Sequence, residues 1–143
     1  MTIRSVGIVP DLKISTLRQA YANGFKPSEL IAQLIPLLAA DDCSHVNDDS
    51  YQVWISRFDD ATLLNMAKLL DGKDSTSLPL YGIPFAIKDN IDVFGLQTTA
   101  ACPAFAYDPE KNAFVVQKLI DAGAIPLGKT NLDQFATGLN GTR

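Results

Sequence analysis

The spacing of apolar side chains predicts two helices at the start of the chain. The first is expected from about Ser15 to Asn23, with Ser15 as its cap and Gly24 at a left-handed stop position. The second begins near Pro27, and Pro36 is expected to kink it or end it early. The inward positions are Leu17, Ala20 and Tyr21 in the first helix, and Ile31, Leu34, Ile35 and Leu38 in the second.

A strand and a third helix are predicted next, after a polar loop over residues 41–50. Tyr51–Phe58 is rich in β-branched and aromatic residues, which favours a short strand. Asp59 or Asp60 then caps a helix that ends at Gly72. The inward positions of that helix are Leu63, Leu64, Ala67 and Leu70.

The second half of the chain has the pattern of a parallel strand–helix–strand unit. Ile83–Ile87 is a short apolar run between turn signals, typical of a buried strand. A ribbon over residues 91–93 and 96–98 and a loop over 99–111 lead to a helix over 112–122 and a second strand over 124–127. The crossover makes these two strands parallel neighbours in an α/β sheet.

The composition is that of a globular protein, and the net charge limits the classes of partner that are expected. The chain has 143 residues, 47% of them apolar, and a net charge of -4, so neither nucleic acid nor an anionic membrane is an expected partner. No apolar run is long enough to span a membrane, and the first ten residues do not resemble a signal peptide. Cys43 and Cys102 are unpatterned and are expected to stay reduced, which makes the cytoplasm the expected compartment.

Lys88 is the first candidate for chemistry, because it follows the apolar run and opens the polar turn Asp89–Asn90. The carboxyl ends of strands are where open α/β sheets place their sites. A desolvated lysine has a lowered pKa, so its neutral amine could act as a general base. The alternative is that Lys88 extends into solvent beside Asp89, and the local pattern favours that alternative.

The tail from Gly128 to Arg143 is the second candidate. Its Gly128-Lys129-Thr130 triplet invites a phosphate-loop interpretation, which fails because the residues before it are apolar strand and no helix pattern follows. A loop packed across the sheet and a backbone-lined substrate wall remain equally supported. His45 lies in a polar loop without metal-ligand spacing, and a solvent-exposed role is expected.

Taken together, several segments resemble the amidase-signature family. The segments are Gly82–Asp92, Thr98–Ala100, Ala122–Ala124 and Gly128–Asn131, in this order and spacing. Three finer segments resemble the allophanate hydrolase branch of that family: Thr98–Tyr107, Asn131–Leu139 and Gly141–Arg143. The strong resemblance covers residues 79–143, and residues 12–72 fit more loosely.

The resemblance implies a fold and a reaction. It implies an α/β/α sandwich around a mixed sheet, with residues 1–78 as a mostly helical N-terminal region and 79–143 as the start of the amidase core. The implied reaction is hydrolysis of allophanate to ammonia and carbon dioxide, in urea breakdown after urea carboxylase. No cofactor or metal is implied, and a homodimer of the full-length enzyme is an expected assembly.

The resemblance also implies roles for individual residues. The family uses a Ser, a second Ser on a cis peptide and a Lys, and Lys88 matches that Lys. Ala136, Thr137 and Gly138 match a loop that lines the substrate pocket. Asp89, Asn90 and Asp92 match motif positions and are expected to hold the turn around Lys88.

Both serines of the family follow a motif equivalent to Gly141–Arg143, where this chain ends, so the chain alone is expected to be inactive. Two alternatives stay open. One is another amidase of the family, or the glutamine-hydrolysing subunit of a transamidation complex. The other is a non-enzymatic fragment that acts as an interaction module.

Overall fold

The computed structural model describes residues 11–40 and 53–138. Within these ranges the helices are α1 (Ile14–Ala22), α2 (Pro27–Ala40), α3 (Asp60–Asp71) and α4 (Phe114–Asp121). The strands are β1 (Trp54–Arg57), β2 (Pro84–Lys88) and β3 (Ile125–Thr130). Short 3-10 turns cover Pro103–Phe105 and Gln134–Ala136.

The three described strands form one mixed sheet in the order β1–β3–β2. β2 runs parallel to β3, as the strand–helix–strand pattern predicted, and β1 runs antiparallel to β3. The α/β class and the mixed sheet are therefore confirmed. Because β1 comes from the helical first region and pairs with β3, residues 1–78 and 79–143 contribute to the same sheet.

The prediction that Ile83–Ile87 is a buried strand is wrong in part. Ile83 and Ile87 are buried, but Pro84 and Phe85 are half-buried and Ala86 is exposed. The reason is that successive side chains of a strand point to opposite faces, and the described residues leave Ala86 and Lys88 exposed on one of them.

The helices are close to their predicted bounds, with two corrections at α1 and α2. Ser15 lies inside α1 and is not its cap, because the helix begins one residue earlier and Lys13 takes the cap position. Pro36 does not end α2 early, because the helix continues to Ala40; the alternative, a kink at Pro36, stays a prediction. Pro36 and Ala32, whose carbonyl would lack its helical donor, are both exposed, so water can satisfy that carbonyl.

α3 follows its prediction closely. The Asp59 carboxylate accepts a hydrogen bond of 2.8 Å from the amide of Thr62 and caps the helix. Leu63, Ala67 and Leu70 are buried on its inner face. The strand predicted over residues 51–58 is observed as β1, and residues 51 and 52 lie outside the described ranges.

β3 extends three residues beyond the predicted strand over 124–127. It therefore includes Gly128, Lys129 and Thr130, which the sequence pattern places in a loop tail. The backbone of β1, which pairs with β3, lies very close to Gly128: a Cβ at this position would be 2.5 Å from the Ser56 carbonyl oxygen. Only glycine permits this approach of the two backbones.

One hydrophobic cluster joins all four helices to the three strands. Its members include Leu17, Ile31, Leu63, Val116, Trp54, Ile87, Ile125 and Leu127. Two buried tyrosine hydroxyls connect the helices to the turn before β2: Tyr21 donates to the carbonyl of Gly82 (2.7 Å), and Tyr81 donates to that of Leu70 (3.0 Å). The predicted ribbon is reduced to a Val93–Leu96 bridge, and a second bridge joins Thr98 to Tyr107.

Candidate active site

Lys88 lies at the carboxyl end of β2, as predicted, and its side chain is exposed. Ile87 points into the core with 3% exposure, so the alternation of a strand turns Lys88 the other way. Within residues 11–40 and 53–138, the Lys88 ammonium has no hydrogen bond or ion pair to a described residue. The desolvated environment that a general base requires is therefore not provided by the described residues alone.

Asp89, the next residue, is fully buried in an ion pair with Lys129. One carboxylate oxygen of Asp89 lies 3.0 Å from Lys129 Nζ, and both side chains are 0% exposed. The other oxygen accepts hydrogen bonds from the amide of Thr99 (3.1 Å) and from the Thr99 hydroxyl. Because burial of a charge is costly unless it is paired and hydrogen-bonded, these contacts explain how both charges are accommodated.

Lys129 has two further acceptors in the loop that follows the Lys88 turn. Its Nζ lies 3.1 Å from the carbonyl oxygen of Gln97 and 3.1 Å from the Thr98 hydroxyl. Asp89 completes the surroundings of this ammonium as an ion-pair partner, since its Oδ1, which is 3.0 Å from Nζ, makes no hydrogen bond among the described residues. The buried lysine on β3 thus joins the turn after β2 to the loop beyond it.

Asp92 holds the same loop through its carboxylate and contacts the start of α4 through its backbone carbonyl. One Asp92 oxygen accepts from the Thr98 hydroxyl (2.8 Å) and from the Tyr107 hydroxyl (2.7 Å). The hydrogen bond to Asp92 raises the pKa of Tyr107, because only the protonated hydroxyl can donate it. The Asp92 carbonyl accepts from the amide of Ala113, the residue before α4 (2.9 Å).

The contacts of Asp89 and Asp92 agree with the structural role predicted for them. Asn90, the third residue of that prediction, is exposed. Each of the two carboxylates holds a different part of the loop after Lys88. Together they fix the backbone on which the candidate lysine stands.

The tail residues Ala136, Thr137 and Gly138 follow β3, and backbone hydrogen bonds bring this tail near the carboxyl end of β2, where Lys88 lies. The amide of Phe135 donates to the carbonyl of Ala100 (3.0 Å), and the amide of Ala100 donates to the carbonyl of Asp89 (3.2 Å). Two backbone hydrogen bonds therefore connect the tail to the residue beside Lys88. Ala136 and Thr137 are exposed and Gly138 is half-buried.

Both segments joined by the hydrogen bond between Phe135 and Ala100 contain left-handed backbone. Ala100 and Ala101 have φ of 50° and 57°, and Phe135 and Ala136 have φ of 53° and 55°. Such angles are unfavourable for residues with a Cβ and persist where surrounding contacts enforce them. Strained backbone of this kind is concentrated at functional sites, which supports a role for this edge of the sheet.

Phe105, Tyr107 and Phe135 form an aromatic cluster between the loop after Ala101 and the tail. Phe105 contacts Tyr107 and Phe135 edge-on, with ring centroids 5.7 Å and 5.3 Å apart. All three rings are exposed by more than 40%. The cluster gives the region beside the tail an apolar surface.

Sequence reasoning missed Lys129. The one signal available was its place directly after a strongly apolar run, where a strand could continue through Gly128 and carry the lysine into the core. The pattern gave no acceptor for its charge, because Gln97 and Thr98 lie 32 and 31 positions earlier in the chain.

In the part of the chain that the structure describes, no group of three or more His, Cys, Asp and Glu side chains could hold a metal ion. His45 and Cys43 lie outside that part, so the predictions for them stay predictions. Among the described helices, none is both long and apolar enough to cross a membrane.

Comparison with known proteins identifies similar sequences and folds. The model of the amidase family matches residues 43–143. The urea amidolyase of Saccharomyces cerevisiae is 59% identical over 91 residues, which are 63% of this chain and 5% of that protein. A glutamyl-tRNA(Gln) amidotransferase subunit from Methanosarcina acetivorans is 50% identical over 76 residues, 52% of this chain and 16% of that protein.

A solved structure matches most of the chain. The allophanate hydrolase of Kluyveromyces lactis superposes with a TM-score of 0.69 and 42% identity, over 85% of this chain and 19% of that one. The chain therefore spans a small part of the length of each of these relatives.

Proposed function

This chain belongs to the amidase family, and we propose that it supplies the lysine-bearing part of a hydrolase that cleaves the amide C–N bond of allophanate, releasing ammonia and carbon dioxide. The observation that carries the proposal is the placement of Lys88. It stands at a strand end, two backbone hydrogen bonds from the tail that contains Ala136, Thr137 and Gly138. The 42% identity to an allophanate hydrolase, over 85% of this chain, supports allophanate as the substrate.

In the proposed mechanism, Lys88 is a base that acts through serine hydroxyls. Its neutral amine takes a proton from a serine on a cis peptide, which in turn takes the proton of the nucleophilic serine. The nucleophile attacks the carbonyl carbon, the C–N bond breaks, and the returned proton leaves with ammonia. Water then attacks the acyl-enzyme and gives its proton back through the same groups, which frees the serine. The released N-carboxylated carbamate breaks down to ammonia and carbon dioxide. Side chains and water carry these steps, so the proposal includes no cofactor.

The proposal requires that Lys88 lose its contact with water during turnover. The described residues leave its side chain exposed, so bound substrate or further polypeptide must cover it. We propose that the segment bearing both serines follows the motif matched by Gly141–Arg143. Residues 1–143 expressed alone should accordingly release no ammonia from allophanate.

The substrate is tested by ammonia release from the protein as its gene encodes it. Allophanate, glutamine and a simple aliphatic amide are compared at equal concentration, and kcat/KM for allophanate should exceed the others by at least about a hundredfold. Preference for the simple amide would defeat the choice of allophanate. A functional link to urea carboxylase, a cytoplasmic location and a homodimer belong to the same proposal.

A second candidate function is glutamine hydrolysis within a transamidation complex. The 50% identity to an amidotransferase subunit favours it. The same assay separates the two, because a transamidation subunit releases ammonia from glutamine. A third candidate, an interaction module without activity, predicts no release from any of the three amides, together with protected amides in β2 and β3 in hydrogen exchange.

A further inference from the structure

The backbone and one carboxylate oxygen of Asp89 are held by hydrogen bonds, and the other oxygen is held by the ion pair with Lys129 alone. The Asp89 amide donates to the carbonyl of Thr130 (3.1 Å), and its carbonyl accepts from the amide of Ala100 (3.2 Å). Its carboxylate is shared between Thr99 and Lys129, at full burial. Asp89 is therefore tied to β3 on one side and to the following loop on the other.

Lys88, the residue before Asp89, has no comparable contacts for its side chain. Among residues 11–40 and 53–138 nothing accepts a hydrogen bond from its ammonium, and the side chain is exposed. The Lys88 side chain is flexible, and no contact with the described residues holds its ammonium in place. The position and direction of the backbone at Lys88 therefore set the region that the amine can reach. The fixed neighbour, Asp89, thus defines where the Lys88 amine can reach.

We propose that the buried Lys129–Asp89 ion pair positions the Lys88 amine for catalysis, an inference that rests on the proposed amide hydrolysis. Lys129 acts through Asp89 and is a positioning residue, because its ammonium is ion-paired with Asp89 and donates hydrogen bonds to Gln97 and Thr98. It pins the turn after β2 and the loop over residues 97–99 to one point on β3. The turn on which Lys88 stands then cannot shift independently of the sheet.

Stability alone does not account for this pair. A buried ion pair is often replaceable by apolar side chains of similar volume without loss of stability. What such a replacement removes is directional contact, since apolar side chains do not fix the turn relative to β3. Replacing both members of the pair should therefore lower the rate of catalysis while the protein stays folded, and the two effects can be measured separately.

The decisive variant is the double substitution Asp89→Asn with Lys129→Met, made in the protein as its gene encodes it. It removes both charges together, so no buried charge is left unpaired and the fold should persist. The kcat for ammonia release should fall about a hundredfold, because a displacement near 1 Å has an effect of that size, while KM changes less than about twofold. Wild-type kcat in the folded double variant would overturn the proposal.

Two further variants secure the interpretation. Thr99→Val keeps both charges and removes the hydroxyl that donates to Asp89; it should lower kcat about tenfold, and an unchanged kcat would count against the proposal. Ser28→Ala is the matched control. It removes the hydrogen bond that joins α2 to Asp71 of α3 (2.5 Å), so it should lower stability and leave kcat unchanged.

Hydrogen exchange gives a measurement that does not depend on turnover. In the double variant the amides of Asp89 and Ala100 should exchange at least about tenfold faster, while the amide of Ile125, which donates to Ile83, keeps its protection. Unchanged protection at Asp89 and Ala100 would refute the positioning role. If the wild-type protein releases ammonia from none of the amides, the proposed function fails, and the exchange rates still decide whether the pair orders the turn.

Discussion

At the scale of residues, the candidate site depends on two lysines in opposite environments. Lys129 is paired in register with Ile87, and both point into the core; Lys88 is paired with Thr130 and is exposed. Neighbouring strands place paired residues on the same face, so Lys129 lies on the face of Ile87 and Lys88 lies on the opposite face. The sheet thus separates a structural lysine from a candidate catalytic one.

Lys129→Met alone should destabilise the protein strongly. It leaves the Asp89 carboxylate buried without a cation, a loss that typically costs about 3–5 kcal/mol. Urea unfolding measures it, and adding Asp89→Asn should restore most of the stability. A single variant within about 1 kcal/mol of wild type would show that Asp89 is not held as a buried anion.

The two lysines also show what a sequence can and cannot predict at this scale. The place of Lys88 at a strand end followed from a local pattern of apolar residues and a polar turn. The role of Lys129 could not be predicted, because its partners Gln97, Thr98 and Asp89 are distant in the chain and meet it only in the folded sheet.

At the scale of elements, helices were predicted well because their signals are local. The stripe on α3 and its Asp59 cap act within a few residues of each other, and both are observed. β3 was predicted too short because Gly128, Lys129 and Thr130 do not look like strand residues. They belong to the strand since β1 and β2 pair with them from distant positions.

Gly128→Ala should weaken the pairing of β1 with β3. The added Cβ would lie 2.5 Å from the Ser56 carbonyl oxygen and 2.6 Å from Arg57 Cα, so the backbones must separate. Overpacking of this kind costs about 1–3 kcal/mol in the free energy of unfolding, measured by urea denaturation. Gly72→Ala is the control: nothing lies within 4 Å of its Cβ, and its stability should be equal to wild type or slightly higher. Equal stability of both variants would contradict the close approach.

The contact of α1 with the turn before β2 should make stability fall at alkaline pH. Burial raises the pKa of Tyr21 above its usual range, with further contributions from Tyr81 and Asp71. Since the unfolded chain ionises near pH 10 and the folded one resists ionisation, the stabilisation by Tyr21 is complete below about pH 10 and is lost as the pH rises above it.

Tyr21→Phe tests this dependence. Urea unfolding between pH 7 and 11 should show a lower stability at neutral pH by about 1 kcal/mol, because the hydrogen bond to Gly82 is lost. The variant should also show a flatter decline above pH 10. Two parallel curves would mean that Tyr21 does not carry the alkaline dependence.

At the scale of the whole molecule, one sheet and one core unite the regions before and after residue 78. β1 comes from the first region and pairs with β3 of the second, and the hydrophobic cluster includes side chains from both. The family match over residues 43–143 agrees with this arrangement, because it includes all three described strands. The chain presents Lys88 and the tail at one edge of that sheet, the arrangement from which the proposed hydrolysis follows.

The most direct test of the account is the effect of Lys88→Ala on ammonia release from allophanate by the protein as its gene encodes it. The value of kcat/KM should fall by several orders of magnitude while the variant stays folded, because the Lys88 ammonium makes no hydrogen bond or ion pair with the described residues. Lys68→Ala, an exposed lysine on α3, should keep wild-type turnover. Wild-type turnover in the folded Lys88→Ala variant would contradict the account.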